Sequence, residues 1–499
     1  MAVWLGRSDR HISKVRDSLT PAGRYRLQYE HNPTGDLVQV MELAGQDATA
    51  FYANTLYAWD VERGLLQEAW DAEGHRVQKR LYDDWGYLKQ VQDALGRGGE
   101  VLARNALGWV ERVRNARGQE IEYRYDSWGR LREKRTPEKV VSWRYDLEGR
   151  VLEMKEVVPL TGQVLRLTTW EYYRTTGELS KVTTPEGVVE YGWQRGLLHT
   201  LRVMPATGVV QEWRSTYNDA RELEQVFRNG SLEVKRQYDD SGRLWKVWYY
   251  RHGEHGLERA TEVEYRYDRA DRVWQEEYRA GGTPYQQVRY TRDGLGRIQQ
   301  KQETVWSGGG EQRATTTYTY DHQGQLVKEV RTGANPYTIE YGYDLVGNRL
   351  RRMRTVGGQT FTNAMEYNAA NQLVSLNNQA WEYDLDGNVV VRRVGDATWL
   401  LGYDAEGNLV SLQKQGDAVG WEYKYDGLGR RVRAVRGTLE MEYLYSGDTL
   451  VAERANGGDW VYYGYGGAMY QQIGGGEAMT RRFSNTTNLL LHASDITCT

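Results

Sequence analysis

A tyrosine, an aspartate, two variable residues and a glycine recur along this chain, and no other feature limits its fold so strongly. Tyr-Asp pairs begin at Tyr82, Tyr125, Tyr145, Tyr238, Tyr267, Tyr320, Tyr343, Tyr383, Tyr403 and Tyr425. Glycine stands four residues after the tyrosine in nine of these ten. The complete sets are Tyr82, Asp83, Gly86; Tyr125, Asp126, Gly129; Tyr145, Asp146, Gly149; Tyr238, Asp239, Gly242; and Tyr320, Asp321, Gly324. They continue with Tyr343, Asp344, Gly347; Tyr383, Asp384, Gly387; Tyr403, Asp404, Gly407; and Tyr425, Asp426, Gly429. After Tyr267 the glycine place is held by Asp271. Weaker copies fill the intervals at Tyr29 with Gly35, Trp59-Asp60 with Gly64, Tyr173 with Gly177, Tyr217-Asn218, and Tyr290 with Gly294 and Gly296. Self-similarity of this kind marks a repeat architecture rather than a set of unrelated domains.

Each part of the unit has a local physical reading. Segments such as Tyr123-Arg124-Tyr125 and Tyr341-Gly342-Tyr343 alternate with period two, placing both tyrosines on one face of a strand. Aspartate accepts hydrogen bonds from its own backbone two residues on and starts a turn. Glycine three residues after the aspartate suits a type I turn whose last residue needs positive φ, which closes a hairpin with a bulge. The "RL", "RV" or "NL" that follows begins the return strand. The chain therefore reads as β-hairpins in series.

Composition agrees. Tyrosine (37) and tryptophan (18) far outnumber phenylalanine (4), so aromatic rings here are selected for a polar tip, as on sheet faces that meet hydrated space. Glycine (55) meets the demand for turns, and proline (8) is scarce because most backbone must stay in ladders. About twenty hairpins at roughly 4.8 Å between strands would make a sheet on the order of 190 Å wide. Twisted sheets beyond about ten strands curl, split or flatten, so this one is expected to coil, either as a filled solenoid or around a hollow.

The units "YDSWGRL", "YDLEGRV", "YDDSGRL", "YDLVGNRL" and "YDGLGRR" resemble the Rhs or YD repeats of bacterial Rhs toxin shell proteins, insecticidal toxin complex C components and the teneurins. The resemblance runs over residues 22–470, with 1–21 as a lead-in and 471–499 as an irregular tail. It implies an all-β fold: a long antiparallel sheet of hairpins wound into a spiral, hollow shell, as a partial or open cocoon. It also implies a function, that of an encapsulating shell around a toxin polypeptide, with that polypeptide or a neighbouring shell chain as partner. An exported or cell-surface bacterial location follows from the resemblance alone. The alternative is a cell-surface module that binds carbohydrate or protein. No self-cleaving core segment or toxin domain is recognised. The tail "RRFSNTTNLLLHASDITCT" reads as the product of a frameshift or rearrangement before such a core.

Catalytic, cofactor and metal sites are not expected. His252, Glu254 and His255 cluster ligand types, but Gly253 and Gly256 mark an insertion loop. The pairs Asp83-Asp84 and Asp239-Asp240 begin with the turn aspartate, and adjacent residues point apart. "SGGGE" and "GGGE" lack the lysine and helix of a phosphate loop. Cys498 excludes a disulfide within the chain. A net charge of −3 without a long basic run argues against nucleic acid, and the arginines after glycine read as parts of the repeat. No segment has the length and apolarity of a secretory leader or membrane span. Aromatic clusters at Trp245–Tyr250 and Trp460–Tyr465 are the candidates for stacking on sugar rings.

Overall fold

The computed structural model describes the backbone of residues 4–8, 11–16, 27–43, 51–253, 256–463, 469–471 and 479–481. The loop residues Glu254 and His255, the side chain of His252 and the tail with Cys498 lie outside the described residues. Every regular element among the described residues is a β-strand, and consecutive strands pair antiparallel in a long sheet. The chain divides into two compact units. One comprises Met1–Val140 with Val263–Ala418, the other Val141–Glu262 with Val419–Thr499.

One local device builds the hairpins in both units. Tyr82 ends the strand Gln78–Tyr82, and Leu88–Gln92 returns. Between them Asp83 N–H donates to the Tyr87 carbonyl (3.0 Å) and Gly86 N–H to the Asp83 carbonyl (3.0 Å). The register shifts by one at Tyr82, which is the bulge. The same shift falls at Tyr125, Tyr238, Tyr320, Tyr343, Tyr383, Tyr403 and Tyr425. The nine repeat glycines have φ between 75° and 93°. Where glycine is replaced, the substitute is still left-handed: Arg221 at 66°, Asp271 at 58° and Asn371 at 57°. Backbone geometry is thus kept even where the residue best suited to it is not.

Two of the weaker copies are shifted from their sequence reading. The turn after Tyr290 is Asp293–Gly296, so Arg292 occupies the tyrosine place. Near Tyr29 the turn is Asn32–Gly35, with His31 before it.

Antiparallel order sends alternate turns to opposite edges of the sheet. Along each continuous run, the Tyr-Asp turns lie at one edge. The other edge carries tight two-residue turns such as Gly281-Gly282 and Gly357-Gly358, and, near the start, turns opened by Asp71, Asp93 and Asn115. Within the first unit these edges meet. Arg117 on the second edge reaches Asp386 (2.5 Å), Asp384 (3.5 Å) and the Tyr403 carbonyl (2.9 Å) at the Tyr-Asp edge of the later run. Arg97 binds Gln372 (2.8 Å), and Lys134 pairs with Glu406. Partners across this seam lie 267 to 290 residues apart in sequence.

The second unit has its own seam. Glu156 accepts from Gly427 N–H (2.9 Å), Tyr191 bonds Ser446 (2.9 Å), and the Tyr462 hydroxyl donates to the Val209 carbonyl. Its core follows the period-two rule: Gln211, Trp213 and Ser215 are buried while Glu212 and Arg214 face outward. Met154, Trp213 and Leu444 are among its fully enclosed side chains.

Two glycines separate backbone strain from packing. A Cβ on Gly118 (φ 87°) would meet nothing within 4 Å, so Gly118→Ala carries only the left-handed penalty, about 1–2 kcal/mol. A Cβ on Gly427 would stand 2.6 Å from Val141 Cγ1 and 2.7 Å from Met154 Sδ, both deeply buried. Gly427→Ala is expected to cost about 1–3 kcal/mol by overpacking. Urea unfolding of both variants checks this; a neutral Gly118→Ala would refute the strain argument.

Candidate functional site

The repeated turn is the most defined polar constellation in the chain. Asp83 Oδ1 accepts the N–H of Trp85 (3.1 Å) and of Tyr87 (2.8 Å). Asp126, Asp239, Asp344, Asp404 and Asp426 make the same two contacts. For Asp146, Asp321 and Asp384 the second of them is present, at 2.8–2.9 Å. The other carboxylate oxygen takes a side chain four residues on. That partner is arginine at Arg130, Arg150, Arg243 and Arg430, and asparagine at Asn348, Asn388 and Asn408.

Where the turn opens with asparagine, the polarity inverts. Asn115, Asn218 and Asn368 donate to Gln119, Glu222 and Gln372. Donor and acceptor are matched turn by turn, which accounts for the arginine that so often follows the glycine.

The ring before the turn reaches backwards. Tyr82 donates its hydroxyl to the Leu66 carbonyl (2.7 Å), Tyr125 to Val110 (2.8 Å) and Tyr238 to Leu223 (2.8 Å). Tyr320, Tyr343 and Tyr383 reach Ile298, Leu326 and Leu373, each at 2.8 Å. In every case the acceptor is two residues past the left-handed residue of the preceding turn on the same edge. Trp59 and Trp193 do this with Nε1 (2.9 and 2.6 Å), and Arg104 and Arg292 with a guanidinium nitrogen (2.8 and 3.1 Å). The place selects a long side chain with a donor at its end, which phenylalanine lacks. Sequence reasoning assigned the polar tips to water; the structure gives these a peptide carbonyl. The Tyr425 hydroxyl accepts from Arg431 (3.3 Å). Tyr145 and Tyr403 close their strands before the turns of Asp146 and Asp404.

These contacts set the electrostatics. The hydrogen bond from Arg272 holds Asp268 at about 2, and Arg243 lowers Asp239 in the same way. Burial pushes Tyr318 and Tyr341 up to about 12, with Glu329 adding to both. Burial also raises Tyr443, Tyr445 and Tyr463 in the second unit.

The aromatic clusters singled out for sugar contact are not open platforms. Trp245 and Trp248 are half-buried, with Lys246 against Trp245 and Glu262 accepting from Trp248 Nε1 (3.0 Å). Trp460 and Tyr462 are buried, and residues 464–465 lie outside the described residues. Among the described residues the open tryptophans are Trp85 (84% exposed) and Trp128 (69%), at turn tips that composition alone did not mark. Two open grooves occur in the first unit. One of about 450 Å³ is lined by Glu73, Gln323, Tyr341 and Leu345, the other of about 560 Å³ by Asp83, Trp85, Tyr87, Lys89 and Arg104. Among the described residues, no group of three or more His, Cys, Asp or Glu is placed to hold a metal ion. Among the same described residues, no helix is long and apolar enough to cross a membrane.

Two predictions follow from this chemistry. Tyr343→Phe removes one donor from a half-buried carbonyl and is expected to cost about 0.5–1.5 kcal/mol, read from the urea midpoint; a neutral change would mean the hydroxyl bond is incidental. Stability should also fall at both ends of the pH scale. The aspartates, depressed from 3.8, contribute above that value and lose their contribution as pH drops toward 2. The buried tyrosines, raised from 10.0, contribute below pH 10 and lose their contribution as pH rises toward 12. A urea midpoint flat over both windows would count against these couplings.

Comparison with known proteins agrees with the geometry. Residues 255–450 match the Teneurin YD-shell model, and residues 104–141 match the RHS Repeat model. The tRNA nuclease WapA of Bacillus subtilis (strain 168) is 35% identical over 132 residues, covering 26% of this chain and 5% of that protein. Double-stranded DNA deaminase toxin A of Burkholderia cenocepacia (strain H111) is 24% identical over 477 residues, covering 82% of this chain and 30% of the relative. The chain thus spans a minor part of the length of these relatives. In fold it is similar to a chain of the Photorhabdus luminescens Tc holotoxin pore, with a TM-score of 0.54 at 15% identity, over 93% of this chain and 27% of that one. With its repeated Tyr-Asp turns and its long antiparallel sheet, the chain carries YD-type repeats, matching the RHS Repeat family over residues 104–141 and the Teneurin YD-shell family over residues 255–450.

Proposed function

We propose that this chain supplies wall for a shell that encloses a toxin polypeptide, and that its role is structural rather than enzymatic. The observation that carries the reading is the seam within each unit. A later run of Tyr-Asp turns lies on an earlier run some 250 to 290 residues before it, as in a sheet that returns onto itself. One relative is by name a tRNA nuclease and another a DNA deaminase toxin, and the fold is similar to that of a chain of a Tc holotoxin. The wall would act by excluding the outside while its half-buried tyrosines and charged pairs tolerate a hydrated, unfolded occupant. In this reading the partner is a toxin polypeptide or adjoining shell chain.

A second reading, a binding surface for carbohydrate or protein, draws on Trp85 and Trp128. Small-angle X-ray scattering of the purified, monodisperse chain distinguishes the two. A wall around space gives distances weighted toward the maximum dimension of a rounded particle. A rod-like profile with a narrow cross-section would end the enclosure reading.

A further inference from the structure

Most turns in this chain bring a polar side chain, four residues on, for the second polar atom of their opening aspartate or asparagine. In two neighbouring turns an aromatic ring stands there instead: Tyr87 after Asp83 and Trp109 after Asn105. Each ring lies on the glycine of the next turn along the edge. A Cβ on Gly108 would stand 2.9 Å from the Tyr87 hydroxyl, and one on Gly129 would stand 2.7 Å from the Trp109 ring. Asp83 Oδ1 and Asn105 Oδ1 still take their two backbone N–H groups, so both turns are closed. Asp83 Oδ2 and Asn105 Nδ2 have no partner among the described residues. One acceptor and one donor are left over.

These turns follow one another on the Tyr-Asp edge of the early run in the first unit, two strands and about 10 Å apart. The groove of about 560 Å³ spans them, lined by Asp83 and Asn105 together with Trp85, Tyr87, Lys89 and Arg104. Its floor is fixed. Arg104 lies over the Tyr87 ring (5.2 Å) and donates to the Leu88 and Gly108 carbonyls. Its wall is open. Trp85 is 84% exposed, and among the described residues no cation or ring covers it, whereas Arg130 covers Trp128 at 4.6 Å.

The chemistry of the groove narrows its ligand. An unmatched carboxylate disfavours an anion, and Lys89 with Arg104 disfavours a cation. A peptide strand would need an unpaired ladder, but Leu88–Gln92 and Glu100–Arg104 each pair with a neighbour on both sides. A bare indole asks for a flat apolar face, and the two leftover atoms ask for groups that both donate and accept. A pyranose ring with equatorial hydroxyls offers both.

We propose that the groove between the turns of Asp83 and Asn105 binds a neutral glycan of equatorially linked pyranose rings. One ring stacks on Trp85, a hydroxyl donates to Asp83 Oδ2, and a hydroxyl of the same or the next ring accepts from Asn105 Nδ2. The site rests on the second of the two readings above, to which it gives a place and a ligand class.

Isothermal titration of the whole chain with cellohexaose, chitohexaose and xylohexaose tests it. At least one of the three should bind. Trp85→Ala should weaken that binding about tenfold or more. Tyr87→Arg gives Asp83 the internal partner that Asp126 finds in Arg130, and should weaken binding by a similar factor while thermal melts stay at or above those of the wild type. Binding that both variants leave intact, or that falls with Trp128→Ala and not with Trp85→Ala, would overturn this site while the second reading stood. Preference for hexaglutamate or hexalysine over all three sugars would overturn the ligand class. No binding of any probe would end both the site and that reading.

Discussion

The hydrogen bond from a side-chain donor to the carbonyl of the preceding turn is the contact on which the regularity of this sheet depends. A hairpin alone is a marginal structure in water, and a bulge at its base weakens the ladder locally. Tyr82, Tyr125, Tyr320 and Tyr343 bridge that weak point by fastening each turn to the one before it on the same edge. Each contact lies two residues beyond a left-handed residue, so the clamp and the turn geometry specify one another. Replacing tyrosine by Trp59 or Arg104 is tolerated because reach and a terminal donor are retained.

From that contact the rest follows in order. Clamped turns keep one edge in line; the opposite edge is left with short two-residue turns, and near the start with turns able to carry Glu73, Arg97, Arg117 and Glu138. Those charged groups meet the backbone N–H and carbonyl groups that later Tyr-Asp turns turn outward. The seam is thus built from what the turn does not use for itself. Its partners are exposed main-chain groups held by a rigid turn, which gives a direction to an otherwise sequence-tolerant surface.

The fold class could be read in the sequence because all it needs lies within five residues: alternating strand, aspartate, glycine, return strand. What the tyrosines bond to could not, since a backbone carbonyl leaves no mark on the residue that bears it. Leu66, Val110 and Arg349 serve equally as acceptors. Arg292 shows the cost of reading by letter, as Tyr290 two residues earlier looks like the repeat tyrosine. The seams were invisible for another reason. Glu73, Glu138 and Glu156 obey no period, and each meets its partner some 270 residues away. The aromatic runs at Trp245 and Trp460 misled because density in sequence says nothing about exposure, whereas the open Trp85 and Trp128 stand singly.

The matching of aspartate with arginine or asparagine, and of asparagine with glutamine or glutamate, makes most turns electrostatically self-contained. A module that brings its own partner can be copied, deleted or exchanged with little effect on its neighbours. Such a chain can grow to any number of modules while its overall charge stays near neutrality, as the total of −3 over 499 residues reflects. Length is then free to change without the self-repulsion that a single-signed repeat would accumulate. What such exchange cannot preserve is the seam, whose pairs are set by counting modules around the sheet. Insertion or loss of one module would shift every later turn against its early partner, so the seam, more than the repeat, holds the chain to its length.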